Sequence, residues 1–385
     1  MVIKGYRGER YLQGLNNNEI HKIVVKVGTR LLTYKTGKLN LGIIEKLVRE
    51  LADLKNQGKD IVLVSSGAVG AGIGKLGLKK KPVQIPEKQA IAAVGQGVLI
   101  QFYEKLFAEY GHIVAQVLLT REDIENRGRY INSRNTLLHL LKFNVIPIIN
   151  ENDTISTEEI EFGDNDRLSA LVSTLVDADL LIILTDIDGL YTANPRLDPA
   201  AKCIPLVEVI SEELKNAAGT TGEMMATGGM VTKLQAAEIA MSAGIDMVIA
   251  DGHHNNILKK ILSGEPTGTY FCAQGGHLRS RKRWIAFAQK VKGTITIDQG
   301  AEKALKIQGK SLLPIGILEV SGEFARGENI SILSQQGEEI ARGLVNYNAQ
   351  ELRKIMGCKS VDITNILGYC CEEEVVHRNN LVLCS

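Results

Sequence analysis

Lys22-Ile23-Val24-Val25-Lys26-Val27-Gly28-Thr29-Arg30 is the stretch on which the architecture turns. Lys22 to Val27 is a short run, apolar on both faces, and comparable runs recur at Asp60 to Ser65, Ile113 to Leu118, Val145 to Ile149, Leu180 to Leu184 and Met247 to Ala250. Helix-length segments separate them. Runs of this kind suit a buried parallel sheet covered by helices on both faces, so the chain reads as α/β with an open, mostly parallel sheet sandwiched by helices. Between the first two runs, Ile44, Leu47, Val48, Leu51 and Leu54 fall at helical spacing and Gly58 supplies the usual stop.

In an open α/β sheet, ligands bind beyond the carboxyl ends of the strands, and the residues there are rich in chemistry. Lys26 interrupts an apolar run, where an ammonium group is costly without an anionic partner. Gly28 lets a ligand approach the backbone, and Thr29 adds a hydroxyl. The second run ends in Ser65-Ser66-Gly67-Ala68, small residues suited to backbone contact with a polar ligand. Beyond the fourth run lie Asn150-Glu151-Asn152-Asp153 and then Gly163-Asp164-Asn165-Asp166, which could bind an ammonium group, order a lysine, hold magnesium, or simply form turns. Thr185-Asp186 follows the fifth run and could contact a nucleotide.

Further on, Thr227-Gly228-Gly229-Met230-Val231-Thr232-Lys233 places a glycine pair before a helix-compatible run with a lysine one turn in. Glycines expose backbone N–H groups, a helix N-terminus carries partial positive charge, and the lysine adds a full one, which together make a phosphate cradle. A mobile loop before an ordinary helix fits the same residues. Two letter matches are poorer: Gly72-Ile73-Gly74-Lys75-Leu76-Gly77 lies too far from a strand end for a dinucleotide fingerprint, and Gly309-Lys310-Ser311 lacks the first glycine of a phosphate loop.

The chain's 385 residues exceed what one core usually covers, so two domains are expected. Hydrophobic residues make up 44%, charged residues 23%, and the net charge is +1, a balance that predicts no general affinity for nucleic acid or membrane. The first twenty residues carry Lys4, Arg7, Glu9 and Arg10 without an apolar core, and no apolar run reaches membrane-spanning length, so a cytoplasmic location is expected. The six cysteines, Cys203, Cys272, Cys358, Cys370, Cys371 and Cys384, show no metal-ligand spacing and read as reduced thiols; no metal site is assigned to side chains. After about Gly276 the texture changes to short strand-like runs, Gly293 to Ile297, Gly316 to Val320 and Asn329 to Leu333, separated by Gly-containing turns.

Taken in order from residue 22 to about 265, these strand ends and the Thr227 to Lys233 loop resemble the amino acid kinase family, and within it the members acting on glutamate. The following segment is similar to the PUA domain. The resemblance implies an N-terminal arm at 1–20, a catalytic domain of the amino acid kinase fold at 21–275, a linker at 276–284, a mainly-β PUA domain at 285–368 and a tail at 369–385. It implies that Lys26 and Lys233 contact the transferring phosphoryl group, with Asp166 orienting them. Ser66, Asp153 and Asn165 would bind substrate, Asp164 would shape that pocket, and Lys26, Gly28, Thr185, Asp186 and residues Thr227, Gly228, Gly229, Met230, Val231, Thr232 and Lys233 would hold ATP with Mg2+.

The implied reaction moves the γ-phosphoryl group of ATP to the side-chain carboxylate of L-glutamate, giving L-glutamyl 5-phosphate, the first step of proline synthesis. Proline inhibition, a dimer or tetramer and hand-off of the product to a glutamyl-phosphate reductase belong to the same implication. A carboxylate is already ionised near pH 7, so such a site needs positioning and charge neutralisation rather than a general base. Ala226 stands where relatives carry Gly, and Asn194 where they carry Asp. Kinases of aspartate, N-acetylglutamate, carbamate or a nucleoside monophosphate would share the phosphate machinery. An RNA-binding role through the PUA segment is the alternative from another class, with Arg279, Arg281, Lys282 and Arg283 as its basic run; RNA is not expected as the main partner.

Overall fold

A computed structural model of the chain describes residues 20–34, 36–80, 82–155, 165–193, 198, 200–219, 229–273, 291–369 and 372–384. The candidate residues Asp164, Thr227 and Gly228 lie outside the described residues, as do Asn194, Ala226, the basic run at 279–283, Cys370 and Cys371. Two compact units divide the chain, one of residues 1–124 and 128–277, the other of residues 125–127 and 278–385.

The strands of the first unit are β1 (Lys22–Val27), β2 (Asp60–Ser65), β3 (Val114–Leu119), β4 (Ile146–Glu151), β5 (Leu180–Thr185), β6 (Leu190–Tyr191), β7 (Cys203–Ile204), β8 (Leu206–Val207), β9 (Asp246–Asp251) and β10 (Thr269–Phe271). Eight of them form one sheet in the order β3-β4-β2-β1-β5-β9-β10-β8, and β6 pairs with β7 separately. The six strands from β3 to β9 are mutually parallel, whereas β10 runs antiparallel to β9. This is the expected α/β sheet, and its central strands explain the apolar runs. In β1, Ile23, Val24, Val25 and Val27 are fully buried, and every residue of β5 is buried, because helices cover both faces.

The helix Leu41–Asn56 shows how local sequence fixes an element. The Asn40 side chain accepts from the Ile43 N–H at 3.4 Å, and Ile44, Leu47, Val48, Leu51 and Leu54 pack into the core. Gly58, at φ +86°, ends it by letting its own N–H reach Lys55 O and the Lys59 N–H reach Leu54 O, a paired C-terminal closure that a left-handed residue permits.

Gly72 and Gly74 sit inside the helix Ala68–Leu76 and serve packing. A Cβ on Gly72 would lie 2.0 Å from Ile91 O, and one on Gly95, in the helix Ile85–Glu109, only 1.7 Å from Ala68 O. The two helices touch backbone to backbone. Gly95→Ala must therefore push them apart, at a cost toward the upper end of the ~1–3 kcal/mol of overpacking or beyond it. Thermal unfolding of the variant should show a midpoint several degrees lower; an unchanged midpoint would contradict this packing.

The second unit holds β11 (Gly293–Ile297), β12 (Ile317–Gly322), β13 (Asn329–Leu333), β14 (Glu339–Leu344) and β15 (Leu381–Leu383), in the order β12-β11-β13-β14-β15. Its core gathers Ile295, Ile297, Ile330, Ile332, Ile340, Val345 and Leu352. The residues at 369–385, expected to form a tail, supply β15, which pairs antiparallel with β14 through Ala341, Arg342 and Gly343. Cys203, Cys272, Cys358 and Cys384 are free thiols. Among the described residues no helix is long and apolar enough to cross a membrane.

Candidate functional site

The carboxyl ends of β1, β2, β4 and β5 meet the first turns of the helices Asn165–Val176 and Met230–Ser242. At their junction Asp166 is 1% exposed and sits between two lysines that are themselves buried, Lys26 and Lys233. Lys26 Nζ lies 2.5 Å from Asp166 Oδ1, and Lys233 Nζ lies 3.0 Å from Asp166 Oδ2. Thr232 Oγ1 is 2.8 Å from both Asp166 Oδ2 and Gly229 O, so the carboxylate is tied to the start of the second helix as well.

The trio carries two formal positive charges against one negative. Burying charges costs several kcal/mol per ion unless attraction and hydrogen bonds compensate, and the positive excess here makes the position suited to an added anion. Burial works against the Asp166 carboxylate, yet the charges of Lys26 and Lys233 prevail and hold its pKa well below the usual carboxylate range. Burial pushes the Lys233 ammonium pKa below the ordinary lysine value, the nearby Lys26 charge adds to that, and Asp166 opposes it. A function that needs Lys233 charged must therefore fade, as pH rises, sooner than an ordinary lysine would allow. The expected result is a pH profile of kcat/KM for the anionic ligand whose alkaline limb lies below the usual lysine range. Lys233→Arg, which does not titrate there, should move that limb upward if any activity remains; a limb that stays in place would assign it to another group.

Gly229 offers the helix Met230–Ser242 no capping side chain. Its first turn carries the partial positive charge of a helix N-terminus. On the opposite side, a Cβ on Gly28 would stand 3.7 Å from Lys26 Nζ and 3.6 Å from Leu184 O. The fold tolerates that contact, so what the bare glycine leaves open is the space beside the ammonium group. Thr185 ends β5 next to β1, Asp186 follows it, and Arg30 Nη1 holds Asp186 Oδ2 at 3.2 Å. Burial opposes the Asp186 carboxylate, but the Arg30 hydrogen bond and charge bring its pKa below the ordinary value. Asp186 also lies within electrostatic reach of Lys233.

A second group adjoins the first through the neighbouring residue Asn165, which is buried. Asn165 Nδ2 donates to Ser66 Oγ at 2.9 Å and to Asn150 Oδ1 at 3.0 Å. Beneath them Gln96, from the helix Ile85–Glu109, accepts from Asn150 Nδ2 at 3.2 Å and donates to Glu151 O at 3.1 Å. Ser65 Oγ and Tyr103 Oη, both buried, share a hydrogen bond of 2.9 Å. Asp153 is half-buried two residues past β4. Ser66, Asn165 and Asn150 thus form a hydrogen-bonded polar group beside the Lys26–Asp166–Lys233 cluster.

Residues 21–251 match the profile of the amino acid kinase family. The chain belongs to that family. Residues 293–367 match the PUA domain. Among curated relatives, the glutamate 5-kinase of Caldanaerobacter subterraneus subsp. tengcongensis is 56% identical over 362 residues, 94% of this chain and 97% of that protein. The glutamate 5-kinase of Moorella thermoacetica is 53% identical over 366 residues, 95% of this chain and 97% of that protein. That of Geobacter sulfurreducens is 47% identical, covering 95% and 98%.

No sequence motif marks Arg30, Gln96 or Tyr103 in this amino acid kinase. Arg30 follows closely on the end of β1 and could have been paired with an acid past a strand end. Gln96 and Tyr103 lie inside a long helix with no motif around them, and only the fold brings them under β4 and β2.

Proposed function

We propose that this chain transfers the γ-phosphoryl group of ATP to the side-chain carboxylate of L-glutamate, giving L-glutamyl 5-phosphate and ADP. The observation that carries the reading is Asp166 fixed at 2.5 and 3.0 Å between two buried lysines, beside a wall of amide and hydroxyl groups. The extent of similarity to the glutamate 5-kinases supports the choice of acceptor.

In this account a glutamate side-chain oxygen attacks the γ-phosphorus as the bond to the β-phosphate oxygen breaks and ADP takes that electron pair. Lys26 and Lys233 neutralise the charge that develops on the phosphoryl oxygens, and Asp166 keeps both ammonium groups in place. The nucleophile arrives ionised, so no side chain has to take a proton. Gly28 leaves room for the polyphosphate beside Lys26, and the N-terminus of the helix Met230–Ser242 offers it backbone N–H groups, with Thr227 and Gly228 expected to extend that cradle, while Thr185 and Asp186 hold the nucleotide. Ser66, Asn165 and Asp153 bind glutamate, with Asp164 shaping the pocket. Magnesium, when bound with ATP, neutralises part of the phosphate charge. Among the described residues no group of three His, Cys, Asp or Glu side chains converges to cage an ion, so phosphate oxygens would supply much of its shell.

An acyl phosphate hydrolyses readily, which favours prompt consumption by a glutamyl-phosphate reductase on the way to proline. The same reading includes proline inhibition, a homo-oligomer and a cytoplasmic location. The test is an ATP-dependent assay with hydroxylamine trapping, run with L-glutamate, L-aspartate and N-acetyl-L-glutamate. Hydroxamate from glutamate alone is the expected outcome. Hydroxamate from another acid in preference to glutamate would overturn the substrate assignment, and none from any of them would overturn the kinase reading.

A further inference from the structure

Resting on the glutamate reading, we propose that Gln96 is a positioning residue that decides which atom of Asn165 faces the substrate, and so makes the pocket select a free ammonium group. Two backbone groups leave no choice in the amide orientations. Glu151 O can only accept, so Gln96 must turn its Nε2 toward it, at 3.1 Å, and its Oε1 toward Asn150 Nδ2, at 3.2 Å. The Glu151 N–H can only donate, and it donates to Asn150 Oδ1 at 2.9 Å.

Asn150 is thus held from both ends, with its oxygen toward Asn165. Asn165 must then offer Nδ2 to Asn150 Oδ1, at 3.0 Å, with Ser66 Oγ at 2.9 Å from the same nitrogen. What remains is Asn165 Oδ1, buried and with no hydrogen-bond partner among the described residues. A buried acceptor without a donor is costly, and a bound α-ammonium group is the donor that an amino acid brings. A flipped Asn165 would present Nδ2 to that cation and repel it.

Gln96 is 7% exposed, so its replacement must be compact and apolar. Gln96→Met keeps the length and removes the hydrogen bonds to Glu151 O and Asn150 Nδ2, along with a longer one of 3.4 Å accepted from Gln116 Nε2. The readout is kcat/KM for L-glutamate divided by that for glutarate, which lacks the ammonium group, measured on the full chain by hydroxamate trapping. The ratio is expected to fall by about tenfold, because Asn150 then keeps only the Glu151 N–H and holds Asn165 less firmly in one orientation, with KM for ATP unchanged. Gln96→Glu is the conservative partner, since its carboxyl, ionised or protonated, still accepts from Asn150 Nδ2 as Gln96 does. Its ratio should stay well above that of Gln96→Met and close to the wild-type ratio.

A wild-type ratio in Gln96→Met, or an equal loss for both acids, would overturn the inference. Should Gln96→Met fail to fold, a tenfold lower ratio in Gln96→Glu, which keeps the acceptor for Asn150, would overturn it. A wild-type chain that makes hydroxamate from neither glutamate nor glutarate overturns the glutamate reading, and this inference with it.

Discussion

Lys233→Met lowers turnover with ATP and L-glutamate by roughly a hundredfold to a thousandfold, the loss found when one preorganised group is withdrawn from developing charge. Lys26→Met does the same from the β1 side. Each side chain is buried and within 3.0 Å of Asp166, so neither variant gains a substitute cation from solvent. The loss should fall on kcat more than on KM for glutamate, because the charge being neutralised grows during transfer. Steady-state kinetics decides it. Either variant retaining near-normal kcat would remove that lysine from the mechanism.

Asp166→Asn should have the second large effect, and on stability as well as activity. It leaves two buried ammonium groups without their counter-charge, and stranding charge in this way typically costs about 3–5 kcal/mol. Its pH dependence has a definite sign. Asp166 has a folded pKa below its unfolded value, so it contributes stability above the ordinary carboxylate range. That contribution is lost as pH falls below about 4, the unfolded carboxylate value, toward the lower folded one. Denaturant unfolding of wild type and variant should therefore show a wide gap at neutral pH that narrows below that point. A gap that stays constant, or is absent at pH 7, would contradict the arrangement. ATP should raise the midpoint of Asp166→Asn more than that of the wild type, since phosphate supplies the missing negative charge.

How much of this was legible in the sequence depends on the kind of signal. β1, β2 and β5 read directly because strands buried on both faces must be apolar throughout, and Lys26 stood out by violating that rule. β14 and β15 went unread, the first because Arg342 and Gly343 break its apolar pattern and the second because three residues carry no periodicity. Gly72 and Gly95 gave no legible signal, since a glycine chosen for helix contact looks like any other until its partner helix is known.

The site was readable in pieces. Lys26 and the glycine pair before Lys233 each suggested an anion, but their meeting on Asp166 follows from β5 lying beside β1 and from the helix that precedes β5. Asp166 itself, in a run of Gly, Asp and Asn, looked as much like a turn as like a keystone. Gln96 illustrates the limit. It reaches Asn150 and Glu151 across more than fifty positions of sequence, and no local pattern marks a glutamine for that task.

The central claim is direct transfer from ATP to the glutamate side-chain carboxylate, and an oxygen label follows it most closely. L-glutamate carrying 18O in both side-chain carboxylate oxygens is incubated with the full chain, ATP and hydroxylamine, and the released phosphate is analysed by 31P NMR. Hydroxylamine attacks the acyl carbon, so the bridging oxygen leaves with phosphorus. The account predicts inorganic phosphate bearing one 18O in step with hydroxamate. Hydroxamate accompanied by unlabelled phosphate, or by label in AMP, would contradict it.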